Sequence, residues 1–547
     1  MEGQATFSAT PQTTSVSDKF ISNEIFNFES TELADNDLYS TEFSIVSDSY
    51  QGQNPTLKQV PWTFIYNDLE SWLDLAGSFI RVQGKVNGNA NLPAQVEATT
   101  YPDLRSLFEQ VKFSLGGKEI SSYSKDYHIY AHVSNKFWSK KFRRTVNQLN
   151  GGLEDDFAGQ PGLERWDAIG FDIGRRPEVD YMAIANSGVG GFPKPIIDFA
   201  TTRCMNYPLN AFGELCTVEN TTTGIRSGVP AVPDFNGTNV TFWIPLVTML
   251  PFLQAYPRVI KGLKVELNIY KSSDKVQLYA PGDLNALRGD NPEAEFQWQN
   301  IGCQLYVRRI RANEAIERTL TSRLVEGINY KVNYQDFYYD RHLIESNNIK
   351  GEHRIANVGS LPTRIWIAFQ DSRAMTDQSM PSDIFTIPNL TDIQCYVNGQ
   401  LIPQNVIKMD MVGNTTAPPN QVGSENDLTV PYQMYLQACG SAQGNAYMKN
   451  FRGGAGCLTY QQWRDTAPIF CWNLDNVAIS PYFQGRAEVV IRWVKILKNS
   501  QLNPPEPPAG AGYNMFSFVH CLKSAELQFK DHASYITVGS PSAPSPP

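Results

Sequence analysis

The chain has 547 residues, which suggests three or more domains of average size or two large β domains with tails. Aromatic residues make up 12% of it, and 39 glycines and 34 prolines supply turns for many short strands. A hydrophobic content of 41% allows a large core and excludes disorder along the whole chain. The formal net charge of −9 disfavours wrapping of nucleic acid by the main body, because duplex binding depends on phosphate neutralisation by Lys and Arg.

Both ends of the chain differ in composition from its middle. Residues 1–34 are rich in Ser and Thr without a hydrophobic period, and they predict a flexible arm. This segment has neither the basic start nor the apolar stretch of a secretory signal, so we expect synthesis in the cytoplasm. Residues 535–547 include the Pro/Ser-rich run GSPSAPSPP and predict a disordered tail. The longest nearly apolar run, 242–253, is too short to cross a bilayer, so we expect no membrane span.

Apolar and polar side chains alternate in many short stretches between the arm and the tail. The stretch VKFSLGGKEI at 111–120 alternates in this way and then turns on two glycines. The stretch IQCYVNGQLI at 393–402 does the same ahead of an Asn-Gly pair. Such alternation predicts half-buried strands, and the glycine-containing pairs predict tight hairpin turns. The side chains expected in the core are Val111, Phe113, Ile393 and Val397.

Similar stretches recur in the same order in the two halves of the chain. FIRVQGKV precedes the first hairpin as RIWIAFQD precedes the second, and VTFWIPL precedes KVELNIY as PIFCWNL precedes VVIRWVKI. This order predicts two copies of one β domain, at 35–290 and 291–534, divided between about 285 and 300. The alternative at this point is two unrelated β-sandwiches.

Several of these segments together resemble the double-jelly-roll major capsid proteins. The subgroup they resemble most is that of Polinton/Maverick elements and adintovirus-like viruses, which are related to virophages and adenoviruses. Segments 72–86 and 104–137 resemble the first jelly roll, and 306–320 with 361–375 resemble the start of the second. The insertion at about 150–235 matches nothing in the family. The residues that carry the resemblance are Trp72, Asp74, Leu75, Leu107, Phe108, Val111, Gly117 and Ile120, followed by Tyr123, Tyr127 and Tyr130.

The resemblance implies a mostly β chain of two tandem eight-stranded jelly rolls with long loop insertions. It further implies a structural virion protein whose homotrimers form pseudo-hexagonal capsomers in the icosahedral shell of a DNA virus or virus-like mobile element. The implied partners are neighbouring capsomers, penton and minor capsid proteins, with assembly in the host cytoplasm or nucleus. The alternatives are a double-β-sandwich hydrolase acting on glycans, which needs paired carboxylates, and a carbohydrate- or receptor-binding module.

The sequence offers no convergent set of catalytic groups, so we expect neither an enzyme nor a bound cofactor or metal. His128 and His132 lie four residues apart, which on a helix places two potential metal ligands on one face. The run HIYAH lacks the glutamate of a zinc protease, and we expect structural roles for both histidines. The eight cysteines form no CxxC pair, and we expect them to be reduced.

One basic segment, at 136–144, interleaves positive charges with aromatic residues. This combination occurs where proteins contact nucleic acid or an anionic surface. The segment is therefore a candidate contact with packaged DNA at the inner face of a shell, or with a neighbouring subunit. The alternative is a solvated amphipathic segment whose aromatic side chains lie in the core. The candidate contact residues are Lys136, Lys140, Lys141, Arg143 and Arg144.

Overall fold

The structure is a computed structural model. The predicted arm at 1–34, the segment 138–208 and the last eight residues lie outside the residues that it describes. Those residues are 39–48, 61–68, 70–88, 97–101, 103–137, 209–210, 240–279, 296–314, 317–318, 322, 329–358, 362–378, 380, 382–388, 390–409, 428–442, 458, 463, 467–474, 487–495, 511–530 and 533–539.

In its described residues the first lobe contains two facing antiparallel sheets, a small third sheet and four short α-helices. Its strands are β1 (Tyr39–Ser47), β2 (Trp62–Tyr66), β3 (Trp72–Gly88), β4 (Glu97–Thr100), β5 (Phe108–Leu115), β6 (Lys118–Tyr123), β7 (Leu209–Asn210), β8 (Val240–Pro245), β9 (Ile260–Lys261), β10 (Val265–Lys271), β11 (Leu278–Tyr279) and β12 (Phe296–Ala312). Its α-helices are α1 (Tyr127–Asn135), α2 (Leu246–Met249), α3 (Pro251–Ala255) and α4 (Asp274–Gln277), and a 3₁₀ helix spans Leu104–Leu107. The small third sheet consists of β11, β4 and β7.

The second lobe repeats the two facing sheets, and its described residues include one α-helix of 14 residues. Its strands are β13 (Asn329–Glu345), β14 (Lys350–Val358), β15 (Pro362–Asp371), β16 (Leu390–Val397), β17 (Gln400–Lys408), β18 (Phe470–Asn473), β19 (Ala487–Lys495), β20 (Gly512–Lys530) and β21 (Ala533–Gly539). The helix α5 spans Thr429–Ala442, and a 3₁₀ helix spans Ser372–Met375. None of the helices in the described ranges of either lobe is long and apolar enough to cross a membrane.

The two lobes have the same strand order. In the first lobe the sheets run β1-β12-β3-β8 and β2-β10-β5-β6, and in the second β13-β20-β15-β18 and β14-β19-β16-β17. These two strand orders contain eight main strands in each lobe, which leaves out β4, β7, β9 and β11 in the first lobe and β21 in the second. When the eight are numbered along the chain, both lobes have the strand orders 1-8-3-6 and 2-7-4-5. This is the order of a jelly roll, so the chain is a double jelly roll. The predicted fold and the predicted duplication are both confirmed.

The repeated hairpin has the same geometry in both lobes. Gly116 and Gly117 have φ of 54° and 77°, and Asn398 and Gly399 have φ of 49° and 79°. Positive φ at both central positions matches the right-handed twist of the flanking strands, which is why Gly and Asn occur here. In the first lobe the Gly116 N–H donates to the carbonyl of Lys264, which directly precedes β10, at 2.8 Å. In the second lobe the Asn398 N–H donates to the carbonyl of Glu488 in β19, also at 2.8 Å.

The core lies between the two sheets of each lobe and continues from one lobe into the other. The predicted core residues Val111, Phe113, Ile393 and Val397 are buried, as the alternation requires. Trp366 is buried as well, although it lies on the opposite face of its strand from the inner side chains. The reason is that the first lobe covers this outer face, so β15 is buried on both sides. The buried apolar side chains of both lobes form one contiguous cluster.

The observed boundary between the lobes differs from the predicted one. Strand β12 falls after residue 291, but it pairs with β1 and β3 and is the last strand of the first lobe. The second lobe begins at β13. The resemblance places the segment 306–320 in the second lobe, which is wrong for residues 306–312 of β12, because sequence similarity along one strand does not show which strand it pairs with.

The predicted tail is also partly wrong. Residues 535–539 belong to β21, which pairs with β20 between Ser524 and Lys530. Tyr and Ile are residue types that favour strands, and Tyr535 and Ile536 precede the Pro/Ser-rich run, so the strand extends into the segment predicted as a tail. Ile536 is buried, and a methyl group of its side chain approaches Gly116 of the first lobe.

We expect Phe113→Ala to lower the free energy of unfolding by about 3–5 kcal/mol, because the ring is removed from a fully buried position and leaves a cavity. Lys112→Ala, on the other face of the same strand, should change it by less than about 0.5 kcal/mol. Chemical denaturation of both variants measures the difference. Equal costs would contradict the assigned faces of β5.

A second prediction tests the equivalence of the two hairpins. Gly117→Ala and Gly399→Ala should each lower the free energy of unfolding by about 1–2 kcal/mol, because both positions have left-handed backbone dihedrals that disfavour a residue with a Cβ. A steric clash does not contribute, since no atom beyond the two chain neighbours lies within 4 Å of the added Cβ at either position. Gly302→Ala is the matched control, since its Cβ also meets no atom and its φ is not in that region. Denaturation midpoints should fall for the first two variants only, and a cost at one hairpin alone would contradict the equivalence.

Candidate assembly interface

The helix α1 is the part of the first lobe that covers the second. It follows β6 closely, begins after Asp126 and has all nine residues buried. Tyr127 and Tyr130 lie three positions apart, which places both rings on one side of the helix. The centroid of the Tyr130 ring lies 3.8 Å from that of the Phe337 ring in β13 and 5.7 Å from that of the Phe518 ring in β20. The helix therefore lies over the outer face of the sheet that contains β13, β20 and β15.

Stacked aromatic rings form the centre of this inter-lobe contact. Tyr123 stacks on Phe337 with ring centroids 4.4 Å apart and planes 4° from parallel. Phe137 stacks on Trp366 with ring centroids 4.0 Å apart and an angle of 15° between the ring planes. Aromatic pairs of this kind contribute about 0.5–1.5 kcal/mol each beyond the area that they bury. The sequence singled out Tyr123 as part of the resemblance but gave no sign of its partner, because that partner lies in the other lobe.

A buried carboxylate, paired with a partly exposed lysine, lies beside the stacked rings. The Tyr123 hydroxyl donates to Oδ1 of Asp336 at 2.9 Å, and Lys523 Nζ donates to Oδ2 at 2.6 Å. Burial, with the nearby Asp336 carboxylate, raises the pKa of Tyr123 well above its usual range, so its hydroxyl remains a donor. Burial alone would lower the pKa of Lys523, but Asp336 reverses this and raises it. The ammonium therefore stays charged opposite the carboxylate.

Two further tyrosines of β13 donate hydrogen bonds across the contact. The Tyr334 hydroxyl donates to the Ile120 carbonyl at 2.9 Å, and the Tyr339 hydroxyl donates to Asp126 Oδ2 at 2.7 Å. Arg341 Nη1 lies 3.3 Å from the same carboxylate. Asp126 directly precedes α1, and Ile120 lies in β6 shortly before it. These bonds therefore fix the position of the helix along β13.

The connection between β15 and β16 makes a second inter-lobe contact. The backbone N–H of Ser382 donates to the Tyr101 hydroxyl at 2.8 Å, and its side chain donates to the Val276 carbonyl at 3.0 Å. Gln378 Nε2 donates to the Asp274 carbonyl at 3.0 Å. These bonds join the second lobe to Tyr101 and to α4 of the first. The lobes are thus also held together at a place separate from α1.

Arg105 holds α1 in place from within the first lobe. Its guanidinium pairs with Asp103 at 2.6 Å, and both side chains are 1% exposed. It also donates to the Thr248 carbonyl at 2.7 Å, the Ala131 carbonyl at 3.2 Å and Ser134 Oγ at 3.0 Å. Burial alone would lower the pKa of Arg105, but the Asp103 charge raises it. One charged group therefore connects the 3₁₀ helix, α1 and α2.

His128 and His132 are both buried next to the inter-lobe contact. Neither ring nitrogen of His128 has a hydrogen-bond partner, and burial lowers its pKa to about 4. His132 Nε2 lies 3.4 Å from Ser382 Oγ of the second lobe. Within the described ranges, no three or more His, Cys, Asp or Glu side chains are grouped so that they could hold a metal ion.

The cysteines are only partly as expected. Cys303, Cys395, Cys471 and Cys521 are free and buried. Cys439, at the end of α5, is in a disulfide whose partner lies outside the described residues, so the prediction of reduced cysteines is wrong for this residue. Disulfide formation depends on how closely two chain segments approach, and sequence spacing does not show that.

The basic segment is described only at its beginning. Lys136 is 2% exposed, its Nζ lies 3.9 Å from Asp383, and its carbonyl accepts a hydrogen bond from Tyr435. The candidate DNA or subunit contact is therefore wrong for Lys136, whose charge faces the second lobe of its own chain. Phe137 lies in the core, as the alternative for this segment supposed. The candidates outside the described residues are Lys140, Lys141, Arg143 and Arg144.

Comparison with known proteins finds similarity at the level of structure. No protein-family model and no curated protein sequence matches this chain. The major capsid protein of mavirus is similar at 9% identity and a TM-score of 0.45, over 98% of this chain and 96% of its own. The Faustovirus major capsid protein is similar at 10% identity and a TM-score of 0.45, over 89% and 90%. A chain of the Sputnik virophage is similar at 8% identity and a TM-score of 0.46, over 92% and 89%.

The buried histidines predict a loss of stability in acid. The folded chain holds His128 with a pKa of about 4 and His520 with a pKa of about 3, below the ordinary value near 6.5. Between pH 6.5 and 4 the unfolded chain therefore binds more protons than the folded chain. The free energy of unfolding should fall as pH drops through this window, by about 1.4 kcal/mol per pH unit for each histidine.

Urea denaturation between pH 6.5 and 4.5 measures this slope. His128→Leu should reduce it by about 1.4 kcal/mol per pH unit, since one titrating group is removed. Ile393→Val is the control: it should lower the free energy of unfolding by about 0.5–1.5 kcal/mol at every pH without changing the slope. An unchanged slope in His128→Leu would show that the His128 ring is not buried in its neutral form.

Proposed function

We propose that this chain is the major capsid protein of a DNA virus or virus-like mobile element. Its homotrimers would be pseudo-hexagonal capsomers of an icosahedral shell. The observation that carries the proposal is that two lobes of identical strand order share one continuous core. A chain built in this way presents two similar units at a fixed relative position, and three chains around a threefold axis present six. Units arranged in this way can pave a closed shell.

The role proposed is the one named for the mavirus and Faustovirus proteins, and the sequence resemblance adds the Polinton and adintovirus lineage. The protein would be part of the virion, made in the host cytoplasm and assembled in the cytoplasm or nucleus. Its partners would be other capsomers, penton and minor capsid proteins. The positive charges at 140–144 remain candidates for contact with packaged DNA or a neighbouring subunit.

The pairing of the buried acidic residues favours this structural role over a glycan hydrolase. A glycosidase needs two carboxyl groups facing one cleft. In the described part of this chain, each of the five buried aspartates forms an ion pair with a basic side chain. The pairs are Asp74 with Arg308, Asp103 with Arg105, Asp126 with Arg341, Asp274 with Lys271, and Asp336 with Lys523.

The arm at 1–34 would join one capsomer to the next. An arm that becomes ordered only on a neighbour loses conformational entropy when it binds, which keeps contacts between capsomers weaker than contacts within them. Contacts within a capsomer would be of the obligate kind, which bury more than about 2,000 Å². Weak contacts between capsomers allow errors to be corrected while a shell closes.

Sedimentation and light scattering of the purified protein test this function. We expect a stable species of three times 61.3 kDa that also forms shell-sized particles. Deletion of residues 1–34 should leave trimers but prevent particles, whereas deletion of residues 540–547 is the control and should leave both. A wild-type protein that stays a single chain at all concentrations would refute the capsid role. Full-sized particles after deletion of the arm would refute only the role of the arm.

A further inference from the structure

An aromatic surface covers the outer side of the first lobe's β1-β12-β3-β8 sheet. The centroid of the Phe79 ring lies 5.1 Å from that of Phe43, 4.8 Å from that of Trp243 and 5.1 Å from that of Tyr306. Ile45 pairs with Tyr306 in the sheet, and Tyr306 pairs with Phe79, so the three side chains lie side by side. We name these five residues, Phe43, Ile45, Phe79, Trp243 and Tyr306, the aromatic face.

The aromatic face is partly open to solvent in the single chain. Phe43 is 48% exposed and Ile45 is 56% exposed. Polar side chains border it: Arg81 lies over the Trp243 ring at 5.6 Å and donates to Gln304 Oε1 at 3.2 Å. An apolar centre with a polar rim is the composition of a protein–protein interface. Contiguous exposed apolar surface of this kind marks interaction sites.

The second lobe shows what covers the equivalent surface. Strands β13, β20 and β15 occupy the places that β1, β12 and β3 occupy in the first lobe. Their outward rings, Phe337, Phe518 and Trp366, are 8%, 0% and 4% exposed. The cover is α1 of the first lobe, with Phe137 just beyond its end. One sheet face is thus covered in the second lobe, while its counterpart in the first lobe is open.

The second lobe carries a helix at the same point of the chain order as α1. Helix α1 follows the fifth main strand of the first lobe, and α5 follows the fifth main strand of the second. In the covered contact, α1 belongs to one lobe and the sheet belongs to the other. The helix α5 of a second chain is therefore the counterpart that matches the aromatic face. Val430, near its start, is 48% exposed.

We infer that the aromatic face binds the second lobe of another copy of this chain, through α5. The contact inside each chain would then be repeated between chains. Such a contact joins different surfaces of successive copies, so it forms a ring if the rotation between lobes closes. The inference rests on the proposed homotrimer and adds the surface by which that trimer is held.

Ile45→Glu tests this surface, because it places a charge on the aromatic face at a side chain that is 56% exposed in the single chain. We expect this variant to sediment as a single chain at concentrations where the wild type is a trimer, with at least a tenfold higher concentration needed for assembly. Ile349→Glu is the matched control: its side chain is 51% exposed, close to the 56% of Ile45, and it lies outside the aromatic face. The control should remain a trimer. Circular dichroism checks that both variants are folded.

A photo-reactive phenylalanine derivative in place of Ile45 identifies the occupant directly. Irradiation of the wild-type-like trimer should join two chains, with the second chain linked within residues 428–442. A link to residues 1–34, or to another segment of the same chain, would overturn the inference. So would an Ile45→Glu protein that stays a trimer, and in that case the proposed function would still stand. A monomeric wild type would instead refute the proposed function.

Discussion

The outer face of the second lobe's β13-β20-β15-β18 sheet is apolar and has to be kept from water, and this requirement fixes how the two lobes pack together. Strand β20 is buried on both faces from Tyr513 to Cys521, and its neighbour β15 is buried on both faces as well. A sheet with two apolar faces needs a cover on each. The second lobe supplies one cover with its own second sheet, and the first lobe supplies the other with α1. The second lobe alone would expose Phe518 and Trp366.

Polar groups within the contact select one arrangement of the lobes. Asp336 accepts from Tyr123 and Lys523, and Asp126 accepts from Tyr339. The Tyr123 and Tyr339 hydrogen bonds and the ion pair of Asp126 with Arg341 all cross from one lobe to the other, and a buried acceptor left without its partner is costly. Sliding or rotation of one lobe on the other would break these three interactions together. A chain whose two lobes keep one relative position is suited to assemblies that require a constant angle.

Local features of the fold were predictable from the sequence. Alternation located β5 and β16, and the Gly-Gly and Asn-Gly pairs located their turns, because each signal depends only on neighbouring residues. The order of matched stretches revealed the duplication for the same reason. Pairing between distant segments was not predictable. It decides that β12 closes the first lobe, that β21 extends the sheet, and that Cys439 is in a disulfide.

The candidate interface depended on distant contacts, and the sequence predicted less of it. Tyr123 and Tyr130 were singled out by resemblance, but nothing near them in the chain indicates Phe337 as their partner. Lys136 was assigned to a DNA or subunit contact from the charges around it, although its side chain is buried opposite Asp383. The alternation at Ile365 and Ile367 predicted one buried face. The second buried face depends on the other lobe.

In the proposed trimer, the contact between lobes in one chain would be repeated between chains. A cryo-electron microscopy reconstruction of the purified full-length assembly would show this contact. We expect six similar lobes around a threefold axis, with the aromatic face of each chain under α5 of the next. A twofold dimer, or a trimer in which Phe43 and Ile45 face solvent, would contradict this expectation.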